Sequence, residues 1–476
     1  MKDYLTYEEF GAVGDGVHDD MPAIAAAHSE AGRLGLPVKA AEGAVYYISP
    51  KNLTAEVTTS ADWTGACFII DDRECENIRA PIFRVSSVRK PADLRITSLY
   101  RGQTELANPF GEPLYVVLKN RNHFDYIRFG PNQNNGTART DNFVLSADGI
   151  LSSPVSFDFD EVTDVTAMPI DREKLTLTGG KFTTIANQAE SKYNYHARNI
   201  SVSRSNVEIS HITHLITGET DHGAPYSGFI SISGCADIFV HDCVFTGHYI
   251  YTTIGSAGRP VPMGSYDINC GMASNVTFAR CSQTNDIMDR RYWGLIGTNF
   301  CRDLKFEDCV FSRFDAHQGV TNCTISRCTL GWQCLNAIGN GTFVIEDTDA
   351  YGYAFINLRD DYGSTWNGDM IIRNCTWHPL GNSRSILAGR NDGHHWFGYN
   401  CCLPNVDIDG LTVADDTEDL RPLSIFNDYA GNIPDEERKY MPAVPKLVKI
   451  KNIHTTRKIV LCERDDLLQD TEFISE

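Results

Sequence analysis

Short runs in which apolar and polar residues alternate recur along the middle of the chain in one frame. Asp303-Leu304-Lys305-Phe306-Glu307-Asp308-Cys309 is followed by Asn322-Cys323-Thr324-Ile325-Ser326-Arg327-Cys328, each reading Asn or Asp, apolar, polar, apolar, polar, charged, Cys. The frame also begins at Asn206, Asp237, Asn275, Thr342, Asp369 and Asn405, with steps from 19 residues (Asp303 to Asn322) to 38 (Asp237 to Asn275). Period-two alternation of Val, Ile, Phe and Thr predicts strands, and no ten-residue helical period separates them. A strand too short to bury its own face, repeated at such a step, predicts a solenoid in which each turn stacks on the next. The pattern therefore predicts an all-β fold, a right-handed parallel β-helix with Asn or Asp at its corners.

A register follows from the same frame. The residue before each closing Cys reads Asp242, Arg280, Asp308, Arg327 and, before Thr348, Asp347, until Asn374 ends the run. Stacked strands lie about 4.8 Å apart, so alternating signs would pair up the stack and Cys243, Cys281, Cys309 and Cys328 would form one inward column.

Outside the repeats, three regions are expected: residues 1–50 as an N-terminal cap and helix, 51–460 as the β-helix with long loops forming a central groove, and 461–476 as a tail closing the far end. Gly14-Asp15-Gly16 reads as a turn. Asp19 or Asp20 would cap an Ala-rich helix running to about Gly32, with Pro22 in its first turn. Residues 50–175 read as early coils with a small inserted sheet, and Asn132-Gln133-Asn134-Asn135-Gly136 as a loop. Val448-Lys449-Ile450 is the last recognisable strand.

The stretch Phe10-Gly11-Ala12-Val13-Gly14-Asp15-Gly16-Val17-His18-Asp19-Asp20 resembles the N-terminal signature of the pectate-lyase-like superfamily of right-handed β-helix proteins, which includes polygalacturonase-like enzymes, phage tailspikes and related depolymerases. The resemblance implies the fold and the cap, and makes Asp15, Asp19 and Asp20 structural. It does not carry over the polygalacturonase mechanism. Thr284-Asn285-Asp286 is scrambled against that family's pattern, Asp360-Asp361 lies too far downstream, Gly393-His394-His395 lacks its second Gly, and no Arg-x-Lys follows.

Charge narrows the partners. A formal net charge of -20 over 476 residues argues against nucleic acid, whose phosphates demand clustered Lys and Arg. It makes a neutral or locally recognised carbohydrate easier to hold than a polyanion. No apolar leader and no run of eighteen apolar residues occurs, so neither a signal peptide nor a membrane span is expected. The expected location is the cytoplasm, with a secreted mature form or a phage particle as alternatives. The fifteen cysteines read as stacked, buried free thiols of a reducing compartment.

Long loops from the coils between Asp237 and Asp303, and between Thr342 and Asn405, would wall a groove floored by the short coil at 303–322. Carboxylates, Arg, His and aromatic rings recur at similar places after each closing position. Asp286, Asp289, Asp315, Asp360 and Asp361 are the candidate catalytic carboxylates. His248, Tyr251, Arg290, Tyr292, Trp293, His317, Arg359, Arg390, His394 and Trp396 are the candidate substrate-binding residues. Rings stack on sugar faces, Arg and His bind hydroxyls, and paired carboxylates supply acid and base. Adjacent residues of a strand face opposite ways, so one member of Asp360-Asp361 would reach the groove. His394-His395 lacks the one-face geometry of a metal pair, and no metal or cofactor is expected. These residues fit a glycoside hydrolase cleaving an oligo- or polysaccharide. A lyase or epimerase acting on a uronate, with calcium an optional cofactor of the lyase, and a non-catalytic glycan-binding spike are the alternatives, and the sequence leaves the oligomeric state open, a homotrimer being one option.

Overall fold

The computed structural model describes residues 2–293, 296–415, 421–429, 435–462 and 467–476. The repeated frame stacks as strand on parallel strand. Val207 lies beside Ile238, then in turn Val276, Leu304, Cys323, Phe343, Met370, Val406 and Val448. All nine are buried in one lumen. The fold is a right-handed parallel β-helix, almost wholly β.

Both corners explain their residues. Asn206, Asp237, Asn275, Asp303 and Asn322 take φ of 61°, 60°, 54°, 52° and 56°, left-handed backbone that Asn and Asp tolerate better than other side chains. Their side chains also bond along the stack: Asn275 Nδ2 donates to Asp237 Oδ1 (2.6 Å) and Asn322 Nδ2 to Asp303 Oδ1 (2.8 Å). At the second corner Arg280 clamps Asp242 through Nε and Nη2, both at 2.8 Å. Arg327 clamps Asp308 in the same way at 2.9 and 3.0 Å. The alternating charges thus pair two by two. Inside that corner the thiols of Cys281, Cys309, Cys328 and Cys375 each donate to a carbonyl of the preceding coil. The fifteen cysteines are thiols, and all but Cys67, Cys75 and Cys402 are buried.

At the N-terminal end the helix Met21–Leu34 lays Ile24, Ala27, His28 and Ala31 over the lumen. A column of aromatic side chains fills the space beneath, with Phe68 and Phe182 stacked at 4.6 Å and the Tyr7 hydroxyl between Trp63 Nε1 (2.8 Å) and His28 Nε2 (2.9 Å). One local reading changes. Asp15–Asp19 is a strand, with Gly14 and Gly16 at positive φ, rather than a turn. Asp20 stands at the N-cap, but its side chain accepts from Val13 N (2.7 Å) and Gly14 N (3.2 Å), and it is Asp19 Oδ1 that accepts from the first helical N–H, that of Met21 (3.3 Å). At the far end the solenoid continues past residue 450. Ile459–Cys462 pairs with Leu423–Phe426, and Glu472–Ser475 with Leu447–His454, so part of the expected tail is strand; Glu463 to Asp466 lie outside the described residues.

The early region holds an inserted antiparallel sheet in the order Thr137–Leu145, Leu114–Asp125, Asp164–Pro169, with its own apolar core of Leu94, Val116, Leu118, Phe143, Leu145 and Phe159 among others. It docks on the solenoid through Arg302, which is fully buried. The guanidinium donates to Asp141 Oδ1, Ser156 Oγ and Ser153 Oγ, each at 2.6 Å, and to the Pro154 carbonyl at 2.8 Å. Gly319 (φ 87°) makes close approach possible, because a Cβ there would collide with the Tyr126 hydroxyl.

Candidate active site

Asp315 lies at the start of the strand Phe314–Ser326, in the same sheet column as Tyr266 of the strand Tyr266–Gly271 and as Ile356–Leu358, which ends one residue before Arg359. Phe314 points into the lumen core, so by alternation Asp315 and His317 share the outer face. That face is covered. The insert tip (Arg128, Phe129, Pro131, Asn132), Tyr193 and Tyr195, and the hairpin of Tyr251–Ile254 with Pro260–Met263 close over it, leaving a cleft of ≈ 240 Å³ floored by Tyr266, Trp293, His317, Arg359 and Asp361.

Asp315 is 0 % exposed and has three partners. Arg359 Nη1 donates to Oδ1 (2.9 Å), the Tyr266 hydroxyl donates to Oδ2 (2.8 Å), and Arg313 pairs with Oδ2. Arg359 also grips Asp361, through Nε (3.0 Å) and Nη2 (2.7 Å), while Arg128 reaches from the insert to Asp361 Oδ2 through Nε (2.7 Å). One guanidinium therefore bridges both carboxylates.

Burial alone would raise the Asp315 carboxyl, but Arg313 and Arg359 outweigh it and hold the group well below the usual carboxylate range. Asp361 is lowered for the same reason, its desolvation overcome by Arg359 and then Arg128. His317 is pushed down to about 3, first by burial and then by Arg359, so the ring is neutral at ordinary pH. Its Nδ1 lies 2.9 Å from Asn299 Oδ1, which assigns the proton there and leaves the Nε2 lone pair 3.4 Å from the Tyr362 hydroxyl. Three guanidiniums, Arg128, Arg313 and Arg359, thus meet two carboxylates, a local positive excess in an acidic chain.

Of the residues expected from sequence, Asp315, Asp361, His317, Arg359 and Trp293 come together here, Trp293 donating from Nε1 to the Tyr266 hydroxyl (3.2 Å) with Arg313 4.5 Å from its ring. One of the Asp360-Asp361 pair turns in. Asp360 is 56 % exposed and 3.8 Å from Arg390, and the two sit in a 3-10 turn rather than a strand. The others lie elsewhere. Asp286 and Asp289 cap turns at Met288 N and Arg291 N, and Asp289 is paired with Arg291. Arg290 donates to the Tyr353 hydroxyl and Tyr292 packs on Tyr249. His248 is buried, stacked on Tyr226 and bonded to Glu219, and Tyr251 is buried at the base of the hairpin. His394 lies 3.7 Å from Glu437, and Trp396 lies against Tyr440.

Sequence reasoning missed Arg128, Phe129, Tyr193, Tyr195, Tyr266 and Arg313. Arg313 carried a signal, since it stands two residues before Asp315 and so on the same strand face. The insert residues carried none.

No protein-family model matches the chain, and no curated protein matches it. Among solved structures, the tailspike gp61 of Pseudomonas phage phi297 superposes with a TM-score of 0.61 at 13% identity, over 99% of this chain and 84% of that one. The Gp54 tailspike of Acinetobacter baumannii bacteriophage AP22, in complex with a capsular saccharide, superposes with a TM-score of 0.52 at 9% identity, over 99% and 79%. At these identities the likeness is one of fold, and this chain shares the right-handed parallel β-helix of the phage tailspikes.

Proposed function

We propose that the protein processes an acidic polysaccharide in this cleft, by elimination or epimerisation at a uronate. The observation that carries the reading is the bridged pair, two carboxylates held ionised by three guanidiniums. A glycoside hydrolase needs one carboxyl protonated at working pH to meet the leaving oxygen. Neither Asp315 nor Asp361 has an environment that keeps it protonated. The same groups suit a uronate: Arg128 spends only Nε on Asp361, and among the described residues its terminal nitrogens bond no side chain on the cleft wall, where a carboxylate could take both. The neutral His317 Nε2 is the candidate base for the proton beside that carboxylate. A bound carboxylate would offset the guanidinium field that depresses His317 and raise its basicity. Asp315 acts through Arg359 as a positioning residue.

Calcium does not fit this arrangement. Both carboxylates are engaged by arginine, and among the described residues no group of three His, Cys, Asp or Glu has metal-site geometry. That a phage tailspike of the same fold is described in complex with a capsular saccharide supports a polysaccharide as ligand.

The test is incubation with acidic and neutral polysaccharides, following ultraviolet absorbance and product mass. Unsaturated products from an acidic chain, or epimerised residues without cleavage, are expected. Saturated products carrying one added water would replace this reading with the hydrolase, and binding without any product would replace it with the spike.

A further inference from the structure

Beside the cleft, across Tyr126 and Tyr362, the insert and the solenoid wall enclose a second hollow of ≈ 230 Å³. It shares no lining residue with the first. Its polar wall is Asn340, Asn367 and Asn400, and its apolar wall Phe157, Tyr126 and Tyr399. Asn340 and Asn367 are register partners on adjacent coils, which sets their side chains side by side.

Three observations define what this hollow would take. Asn340 is 8 % exposed, yet among the described residues no hydrogen bond engages its carboxamide, nor those of Asn367 or Asn400. The carboxamides line the hollow with their donors and acceptors uncommitted, which leaves them to a polar ligand. The charge of Arg139 is already spent. Arg139 donates to Asp125 (2.9 and 3.0 Å), to the Asp158 carbonyl (3.0 Å) and to His123 (2.6 Å), while Arg101 and Asp158 at the rim have opposite signs. The size is below the roughly 300 to 1,000 Å³ of pockets that bury drug-sized ligands, so a single ring is the scale of occupant.

A carboxamide donates and accepts at once, as a hydroxyl does, and three of them facing aromatic rings match the polar edge and apolar face of a sugar. We propose that this hollow is a second saccharide site, which binds one neutral pyranose residue between the asparagines and the rings of Phe157 and Tyr399. The first cleft would then handle charge and the second neutral hydroxyls.

The experiment titrates the full chain with the methyl glycosides of glucose, galactose, mannose and N-acetylglucosamine, using saturation-transfer NMR for affinity and soaked crystals for position. At least one sugar should bind at Asn340, Asn367 and Asn400. The double variant Asn367→Ala/Asn400→Ala should weaken it by roughly tenfold or more, the loss of two neutral hydrogen bonds. Asn400→Ala alone, at an exposed position, keeps the test in force should the double variant not fold. Binding by none of the four sugars, binding only in the Arg128 cleft, or unchanged affinity in the variants would each overturn the proposal. No turnover is involved, so the outcome is separate from that of the uronate chemistry.

Discussion

Replacing Arg302 by Met tests whether the insert is held as the roof of the cleft by one buried guanidinium. The residue is fully buried, and its donors serve Asp141, Ser153, Ser156 and the Pro154 carbonyl, all in the insert. Met keeps much of the side chain's volume but leaves the Asp141 carboxylate, also buried, without its counter-charge. Breaking one side of a buried pair costs about 3 to 5 kcal/mol. That loss falls on the docking of the insert, because the sheet Leu114–Asp125, Thr137–Leu145, Asp164–Pro169 has a core of its own. Local opening is then favoured by roughly two to three and a half orders of magnitude. Hydrogen exchange followed by mass spectrometry should show faster exchange in residues 114–145, while coils around Phe343–Ile345 keep their protection. Adding Asp141→Leu removes the stranded charge and should restore part of the protection. Exchange in the insert equal to that of the parent protein would refute the argument, as would equal loss throughout the solenoid.

Arg128→Met should lower turnover of an acidic polysaccharide by roughly two orders of magnitude, as loss of a preorganised charged donor does elsewhere, with thermal unfolding little changed. Unaltered turnover would remove Arg128 from the site. Asp315, whose folded carboxyl titrates below its unfolded value, contributes stability that is full above the ordinary Asp range and is lost as pH falls through the folded value. His317, lowered to about 3 from 6.5, leaves the unfolded state binding the proton first, so stability falls as pH drops below 6.5. Denaturation midpoints measured from pH 7 to pH 3 should therefore decline less steeply in His317→Gln than in the parent, and an unchanged slope would contradict the half-buried, neutral ring. At the first corner, Asn322→Ala should cost about 2 kcal/mol, from left-handed backbone (φ 56°) and the lost bonds to Asp303 and Thr342 N. Asn322→Gly loses only the bonds, so its midpoint should lie above that of the Ala variant; the reverse order would refute the strain argument.

The alternating frame by itself determined the fold, the coil register, the column of thiols and the charged corner at Asp242, Arg280, Asp308 and Arg327. In a solenoid every strand needs the same partner face, so the packing rule is written locally in each coil and repeated. It also marked Asp315, His317, Arg359, Asp361 and Trp293 as chemistry-bearing. Only the tertiary structure decided which of the candidates meet, turning Asp361 inward and Asp360 out, and leaving Asp286 and Asp289 in turns. It decided as well that Arg128, 233 residues before Asp361, completes the site. The insert docks once, through side-chain contacts such as those of Arg302, and an interaction made once leaves no periodic trace in a chain. The protonation of the cleft was likewise out of reach, because it depends on how many guanidiniums converge on each carboxylate in space.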